Sequence, residues 1–173
     1  MGARVKPGGA LPDPDKAAIA AAEARAFAPF GRKAGAGDLT EMRERLLRIM
    51  WDDVGILRTA ETLARGKAAL ETLTRDIEAC GIADGSRRYN LTWMDRLNLE
   101  NLTLVSRAIC AAADFRKDSR GAHFREDFPQ PSDLAGSAFT KATLAGGAIT
   151  VTSEPVTFSR VRPGQSLLGQ AAE

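Results

Sequence analysis

The sequence has few of the residues that build metal centres and disulfide-stabilised domains. Its 173 residues include one histidine and two cysteines, and Cys80 and Cys110 are far apart in the chain. A structural zinc site usually combines four Cys, His or carboxylate ligands at a recognisable spacing, and a disulfide framework requires several cysteine pairs. We therefore expect neither kind of site, and we predict that both cysteines are small core residues in a reducing compartment.

Long apolar segments are also missing. No apolar run approaches the roughly 20 residues that a helix needs to cross a bilayer. The first residues lack the apolar stretch that follows the positive charges in a secretory signal. The sequence therefore predicts no direct insertion into a membrane, and it favours a cytoplasmic protein.

The chain also has no large excess of positive or negative charge. The chain has 24 Lys+Arg against 22 Asp+Glu, a net charge of +2. Six of the basic and three of the acidic residues lie in residues 1–37, which leaves eighteen basic and nineteen acidic residues in the rest. A nucleic-acid-binding domain usually presents a strongly basic face. The charge balance therefore predicts no nucleic-acid partner and favours a protein partner.

Helical periodicity is what the sequence does contain. Hydrophobic residues make up 44% of the chain and aromatic residues only 6%, and alanine is frequent, which favours helices. Three segments repeat apolar residues at the spacing of one helix face. We predict a mainly α fold, namely a three-helix, spectrin-repeat-like bundle with a C-terminal β-hairpin.

Each helix of the predicted bundle has an expected core face. The first helix follows Asp38, which forms a capping-box pattern with Glu41, and its face is Met42, Leu46, Ile49 and Met50. The second helix follows Thr59, and its face is Leu63, Leu70, Leu73, Ile77 and Cys80. The third helix covers about residues 92–117, and its face is Leu97, Leu102, Val105, Ala108, Ile109, Ala112 and Phe115.

A hairpin is predicted after the helices. Residues 139–144 and 148–152 are rich in β-branched and apolar residues, and they flank Gly146 and Gly147. Two glycines between two such runs are typical of a two-residue hairpin turn, because this turn requires positive φ angles.

These elements divide the chain into three parts. We assign residues 1–37 to a linker and a short alanine-rich helix, and residues 38–118 to the three-helix bundle. Residues 119–173 form a strap that begins Ser-Arg-Gly-Ala-His, followed by the hairpin and a tail. Trp51 and Trp93 lie at helix boundaries, where we expect large side chains to plug the bundle.

The densest group of polar side chains lies in residues 116–127. His123 could act as a general acid or base, because the pKa of a histidine lies near neutrality. Arg120 and Arg125 could hold an anion, because guanidinium groups bind carboxylates in bidentate fashion. Alternatively, the arginines pair with nearby carboxylates and lock the bundle to the hairpin or to a partner; the candidates are Asp118, Glu126 and Asp127. No nucleophile motif or further metal ligand accompanies them, so we assign no catalytic residue and no metal site.

Residues 119–129, Ser-Arg-Gly-Ala-His-Phe-Arg-Glu-Asp-Phe-Pro, are called the SRGAH segment below. They closely resemble the Ser-Arg-Gly-Ala-His-x-Arg-x-Asp-Phe-Pro segment of the succinate dehydrogenase/fumarate reductase flavoprotein family. Residues 50–58 resemble that family's Met-Trp-x-x-Val-Gly-Ile-x-Arg stretch, and residues 98–102 resemble the start of its third bundle helix. The resemblance, which also includes the closing hairpin, covers residues 38–158 and is limited to the family's C-terminal helical domain.

The resemblance implies that this chain is one part of a larger oxidoreductase. In the family, FAD binding, hydride transfer and the proton-shuttling arginine belong to domains without a counterpart in this sequence, so no catalytic or cofactor-binding residue is implied here. The family's helical domain packs on the FAD domain and helps to shape the side that faces the iron–sulfur subunit. We therefore expect FAD in a partner, which is an FAD-binding flavoprotein domain or chain. We also expect an iron–sulfur subunit as a partner, and a peripheral location at the cytoplasmic side of the membrane.

Four residues match the motif and are expected to make the interdomain contact: Arg120, His123, Arg125 and Asp127. The chain departs from the family at Phe139-Thr140, where the family often has a His-Thr pair, and it lacks the tryptophan that precedes this pair. In this interpretation the chain is not catalytic alone. One alternative is a stand-alone scaffold or regulatory helical bundle without redox activity. Another is a small-anion-binding module that uses the two arginines and the histidine of the SRGAH segment.

Overall fold

A computed structural model describes residues 13–34 and 37–165 of the chain. It contains four α-helices, which are α1 Lys16–Phe27, α2 Leu39–Asp52, α3 Ala60–Ala79 and α4 Leu91–Phe115. It also contains four strands, which are β1 Leu57–Arg58, β2 Phe124–Arg125, β3 Ala138–Ala145 and β4 Ala148–Pro155. The mainly α fold with a C-terminal hairpin is confirmed. Most of the predicted linker and the end of the predicted tail lie outside the described residues.

Each helix begins at a residue that can satisfy free backbone N–H groups. The Asp15 carboxylate accepts hydrogen bonds at the start of α1, and the Asp38 carboxylate accepts one from Thr40 N at 2.7 Å. The capping box that we predicted at Asp38 is found instead at α3, where Thr59 and Thr62 exchange backbone and hydroxyl bonds. Either arrangement satisfies N–H groups that have no partner inside the helix.

Helices α2 and α3 are antiparallel. Arg45, in the middle of α2, pairs with Asp76, near the end of α3, at 2.9 Å. At the other end of the two helices, Asp53 pairs with Arg65 at 2.6 Å. The short connection between the helices, which contains β1, is therefore a reversal of chain direction, as expected for neighbouring helices in a bundle.

Helices α3 and α4 are antiparallel as well. The Cys110 thiol approaches the Leu63 carbonyl at 3.5 Å, and the Arg96 Nε donates to the Cys80 carbonyl at 3.3 Å. The first of these contacts joins the start of α3 to the end of α4, and the second joins the opposite ends. Consequently α2 and α4 run in the same direction, on either side of an antiparallel neighbour.

The predicted core faces of α2 and α3 are confirmed. Met42 and Leu46 of α2 are buried, with Ile49 and Met50 packed partly buried against them. All five predicted core residues at α3 are buried, namely Leu63, Leu70, Leu73, Ile77 and Cys80. Both cysteines are free and buried, as predicted, and burial raises the pKa of the Cys110 thiol to about 11.

The predicted core face of α4 is wrong. Leu102, Val105, Ile109 and Phe115 are 48%, 56%, 45% and 44% exposed. The side that is buried is more polar and consists of Arg96, Leu99, Thr103, Ser106, Cys110 and Ala113. Several of its polar groups find partners inside the chain; the Thr103 hydroxyl, for example, donates to the Leu99 carbonyl at 2.8 Å. Its small side chains also allow α3 to approach closely.

The two tryptophans have different roles. The Trp93 ring stacks on Phe27, with a ring-centroid distance of 5.3 Å, and its Nε1 donates to the Ala26 carbonyl at 2.8 Å. It therefore holds the end of α1 against the start of α4, as a plug at a helix boundary should. Trp51 is exposed instead, so the expectation that it plugs the bundle is wrong.

The hairpin is confirmed, and its register is set by the two glycines. Gly146 and Gly147 have φ angles of 56° and 81°, and Ala145 pairs with Ala148 across them. Positive φ at both central residues is the geometry of a type I′ turn, which matches the twist of the strands. On the face that leans on α4, Ile149 and Val151 are partly buried.

Candidate functional site

The two sequence segments that carry the resemblance meet in space. Strands β1 and β2 pair in parallel, with Leu57 opposite Phe124 and Arg58 opposite Arg125. The Glu126 N–H donates to the Arg58 carbonyl at 2.8 Å. This pairing joins the α2–α3 connection to the SRGAH segment. We call the resulting group of Arg58, His123, Arg125 and Asp127 the motif junction.

Arg125 is the buried centre of the motif junction. Its side chain is fully buried, and its guanidinium holds the Asp127 carboxylate through two hydrogen bonds of 2.7 Å each. Its Nη1 also donates to the carbonyls of Ala113 and Arg116, each at 3.2 Å, and to that of Asp114 at 3.4 Å. The last carbonyls of a helix lack partners and carry partial negative charge. Arg125 therefore caps the C-terminus of α4.

Asp127 connects this cap to a second helix. One of its oxygens accepts the Ala60 N–H at 2.8 Å, at the first residue of α3. The hydrogen bonds from Arg125 hold the pKa of Asp127 far below its usual range, and the Ala60 N–H lowers it further. Because a carboxylate at a helix N-terminus and a guanidinium at a helix C-terminus both oppose the local helix charge, the pair joins α3 and α4 favourably.

His123 is held in its neutral form by Arg58. The Arg58 Nη1 lies 2.8 Å from His123 Nδ1, and the Arg58 Nε donates to the Val54 carbonyl at 3.1 Å. A guanidinium has no acceptor, so Nδ1 accepts and Nε2 carries the ring proton. Burial lowers the pKa of His123, and the charges of Arg116 and Arg58 lower it further. Its Nε2 is buried and has no hydrogen-bond partner among the described residues.

Arg120 binds the segment that leads into the hairpin. Its Nη1 donates to the Ser137 hydroxyl and its Nη2 to the Ser132 carbonyl, both at 2.8 Å. Its backbone N–H and carbonyl pair with those of His123 across the turn at Gly121, which has a φ of 59°. The Arg120 Nε is buried and unpartnered within the described part of the chain. Arg120 thus points away from the motif junction, towards the hairpin.

Of the four predicted contact residues, Arg125 and Asp127 bind each other, whereas His123 binds Arg58 and Arg120 binds the segment before the hairpin. Arg125 and Asp127 form an internal pair, as in the alternative in which arginines lock the bundle together. Arg120 has no such pair, because Asp118 binds Arg116 instead, at 3.0 Å. The interdomain role of these residues stays a prediction. Since Arg125 is completely covered by its own chain, it would act on a neighbouring domain through the groups that it positions.

Two arginines of structural importance were not predicted. Arg58 lies in the segment quoted for the resemblance, and that membership was the only signal in the sequence for its contact with His123. Arg96 is fully buried in α4, where it pairs with Glu100 at 2.8 Å. An arginine in a helix sequence normally indicates a solvent-facing position, so the sequence offered no sign that Arg96 is buried.

The described residues contain no sheet of the kind that holds a dinucleotide in a Rossmann fold. A dinucleotide site of the Rossmann type needs a parallel sheet whose glycine-rich turn opens a helix at the pyrophosphate. Within residues 13–34 and 37–165, the strands form only a two-residue parallel pair and a two-stranded antiparallel hairpin. The same residues contain no group of three or more His, Cys, Asp or Glu side chains placed to hold a metal ion. No helix in this part of the chain is both long and apolar enough to span a membrane.

Comparison with known proteins agrees with this architecture. The family model described as "Fumarate reductase flavoprotein C-term" matches residues 43–167. The 8-methylmenaquinol:fumarate reductase flavoprotein subunit of Wolinella succinogenes is 33% identical over 102 residues, which are 57% of this chain and 17% of that protein. The fumarate reductase flavoprotein subunit of Mycobacterium tuberculosis is 30% identical over 137 residues, which are 79% of this chain and 24% of that protein.

A solved structure shows the same fold. The quinol fumarate reductase of E. coli superimposes with a TM-score of 0.78 and 24% sequence identity, covering 89% of this chain and 27% of that one. The chain therefore spans a quarter or less of the curated relatives described above. Both relatives are named as flavoprotein subunits. The chain belongs to the succinate dehydrogenase/fumarate reductase flavoprotein family, as a C-terminal domain of that family.

Proposed function

We propose that this domain packs on an FAD-binding domain, in the same or a separate polypeptide, of a succinate dehydrogenase/fumarate reductase-type flavoprotein. The FAD-binding domain would hold the cofactor and carry out the redox reaction, and this domain would not be catalytic alone. The observation that supports the proposal is an exposed apolar face, which we define as Leu47 and Trp51 of α2 together with Leu102, Val105 and Ile109 of α4.

The α4 part of the apolar face is continuous along the helix. Leu102, Val105 and Ile109 follow one another at intervals of three and four residues, so they share one side. Leu91 and Met94, which are also exposed, lie further towards the N-terminus, beyond the polar Asn98. Burying a large aliphatic side chain is worth about 1.5–3 kcal/mol, so an uncharged surface of this length is costly to leave in water.

Helix α2 extends this surface. Arg43 pairs with Asp95 at 3.2 Å, near the starts of the two parallel helices. Leu47 and Trp51 come one and two turns after Arg43 in α2, and both are exposed. Leu102 is two turns after Asp95. Exposed apolar side chains therefore lie on both of these neighbouring helices.

The motif junction lies at the edge of the apolar face. Trp51, Ile56, Leu57 and Arg58 help to line a shallow groove of about 560 Å³. Arg58 is also the residue that binds His123. This supports a role in which the motif junction holds the α2–α3 connection in a fixed shape, so that the exposed Ile56 and Leu57 side chains continue the apolar face.

The proposal includes two further features. An iron–sulfur subunit is a second proposed partner, as the resemblance of the SRGAH segment implies, and the relatives are named as flavoprotein subunits. A position at the cytoplasmic side of the membrane, held through such partners, is consistent with the lack of a spanning helix in residues 13–34 and 37–165.

Binding to the FAD-binding portion of the flavoprotein tests the proposal. The chain is titrated into that portion, and affinity is measured by calorimetry and fumarate reduction by a spectrophotometric assay. We expect Val105→Glu and Ile109→Glu to weaken binding about tenfold or more each, because each buries a charge in an apolar interface. Ile19→Glu changes an exposed isoleucine of α1 and is the matched control. A stable monomer with no affinity for the flavoprotein would favour the stand-alone scaffold.

A further inference from the structure

A cleft separates the SRGAH segment from the hairpin. It has a volume of about 270 Å³, and its side chains include three cations, one carboxylate and four hydroxyls. The cations are Arg116, Lys117 and Arg120, the carboxylate is Asp118, and the hydroxyls are those of Ser132, Ser137, Thr140 and Ser153. A water molecule occupies about 30 Å³ of liquid, so the cleft has room for a small ion and several waters.

Two of the three cations are already neutralised. Arg116 binds Asp118 through contacts of 3.0–3.2 Å, and the second Asp118 oxygen also accepts the Ser132 hydroxyl at 2.7 Å. Lys117 lies 3.4 Å from Asp114. The carboxylate in the wall of the cleft is therefore fully engaged, and it leaves little free negative charge to repel an anion.

The third cation, Arg120, has no direct ion pair among the described residues. Among the described residues, Arg120 donates only to neutral groups, which are the Ser137 hydroxyl and the carbonyl and hydroxyl of Ser132. Within the described ranges no carboxylate lies within ion-pair distance of it, and its Nε is buried without a partner. A partly buried guanidinium whose partners are all neutral favours an anionic ligand, because charge-assisted hydrogen bonds to oxyanions are stronger than neutral ones.

The hairpin supplies neutral donors opposite this arginine. Thr140 and Ser153 are a directly paired position of β3 and β4, so their side chains lie on the same face of the hairpin, and both line the cleft. A hydroxyl can donate to an oxyanion without adding charge. One guanidinium with two convergent hydroxyls is a small, specific set of donors.

We propose that this cleft binds a small oxyanion, a phosphate or a carboxylate, with Arg120 as its charged ligand and Thr140 and Ser153 as neutral donors. The site differs from an anion site formed by the arginines and histidine of the SRGAH segment, because Arg125 uses its donors for Asp127 and for the end of α4. Such an ion would tie the SRGAH segment to the hairpin within this chain, so the proposal does not depend on packing against an FAD-binding domain.

The full chain is titrated with sodium phosphate and, separately, with sodium succinate, each against sodium chloride at equal ionic strength. Backbone amide shifts in ¹H–¹⁵N spectra and the Tm are recorded. We expect saturable shifts that are centred on Ser132, Ser137, Thr140 and Ser153, and a rise in Tm that sodium chloride does not produce. The stronger of the two responses identifies the class of oxyanion.

Arg120→Gln is expected to weaken binding about tenfold, since it removes one charge-assisted contact. Arg75→Gln is the matched control, because Arg75 is an exposed arginine of α3 that donates to the Thr72 hydroxyl. If Arg120→Gln does not fold, the double variant Thr140→Val/Ser153→Ala tests the same cleft and should bind several-fold more weakly. Shifts that grow linearly with both salts, or binding that is unchanged in these variants, would overturn the proposal.

Discussion

Arg125 of the motif junction and the apolar face differ in whether the chain itself completes their contacts. Arg125 is fully buried, and its donors are taken by Asp127 and by the carbonyls that end α4. The apolar face, by contrast, leaves large side chains in water although the helices that carry them are regular. A buried polar group must find partners within its own chain, whereas an apolar surface can be covered by a second domain. The comparison separates the contacts that stabilise this domain from the surface that is free to bind a partner.

The largest loss of stability is expected from a substitution that disrupts the motif junction. Arg125→Ala should lower the free energy of unfolding by about 3–5 kcal/mol, because it leaves the Asp127 carboxylate and the end of α4 without their donor. Urea denaturation measures the change, and Arg75→Ala should stay within about 0.5 kcal/mol. If both variants lowered the free energy of unfolding by the same small amount, Arg125 would not be the centre of a stabilising network.

A smaller effect distinguishes the two sides of α4. Leu99→Ala should cost about 2–5 kcal/mol, because Leu99 is completely buried in the core. Leu102→Ala removes the same atoms from the apolar face and should cost less than about 1 kcal/mol in the isolated chain. Thermal or urea unfolding of the two variants gives this comparison directly. Equal losses would mean that both sides of α4 are covered by the chain itself.

The smallest expected effect is a pH dependence at the motif junction. The folded-state pKa of His123 is lowered, while an unfolded histidine titrates near about 6.5. As the pH falls below about 6.5, the unfolded chain binds a proton that the folded chain resists, so stability decreases. The chain has one histidine, so its ring protons in NMR spectra report this pKa without overlap. His123→Gln should remove this part of the pH dependence, and an observed pKa above 6.5 would contradict the assignment of a neutral ring.

The α3 helix shows why part of the fold could be predicted. It lies between α2 and α4, and its apolar residues form one uninterrupted series from Leu63 to Cys80, so only one orientation buries them. The hairpin was predictable for a local reason, because Gly146 and Gly147 supply the positive φ angles that its turn needs. In both cases the pattern of residues within the segment was sufficient to predict its structure.

The α4 helix shows why another part could not be predicted. It has two candidate faces, and periodicity alone favours the more apolar one as the buried face. The chain buries the other face, since small residues such as Ala113 and Cys110 fit against α3 and Arg96 finds the Cys80 carbonyl and Glu100. Those partners belong to other turns and other helices, so the periodicity of α4 does not reveal them.

By itself, the sequence determined the element types, the core of α2 and α3, the hairpin turn and the resemblance carried by the SRGAH segment. These depend on local propensity, on apolar spacing and on a specific run of residues. Only the tertiary structure decided that Arg58 binds His123, that Arg125 caps α4, and that Leu102, Val105 and Ile109 face outwards. The physical reason is that hydrogen bonds and burial depend on which distant segments meet, and the parallel pair of β1 and β2 brings these segments together across the bundle.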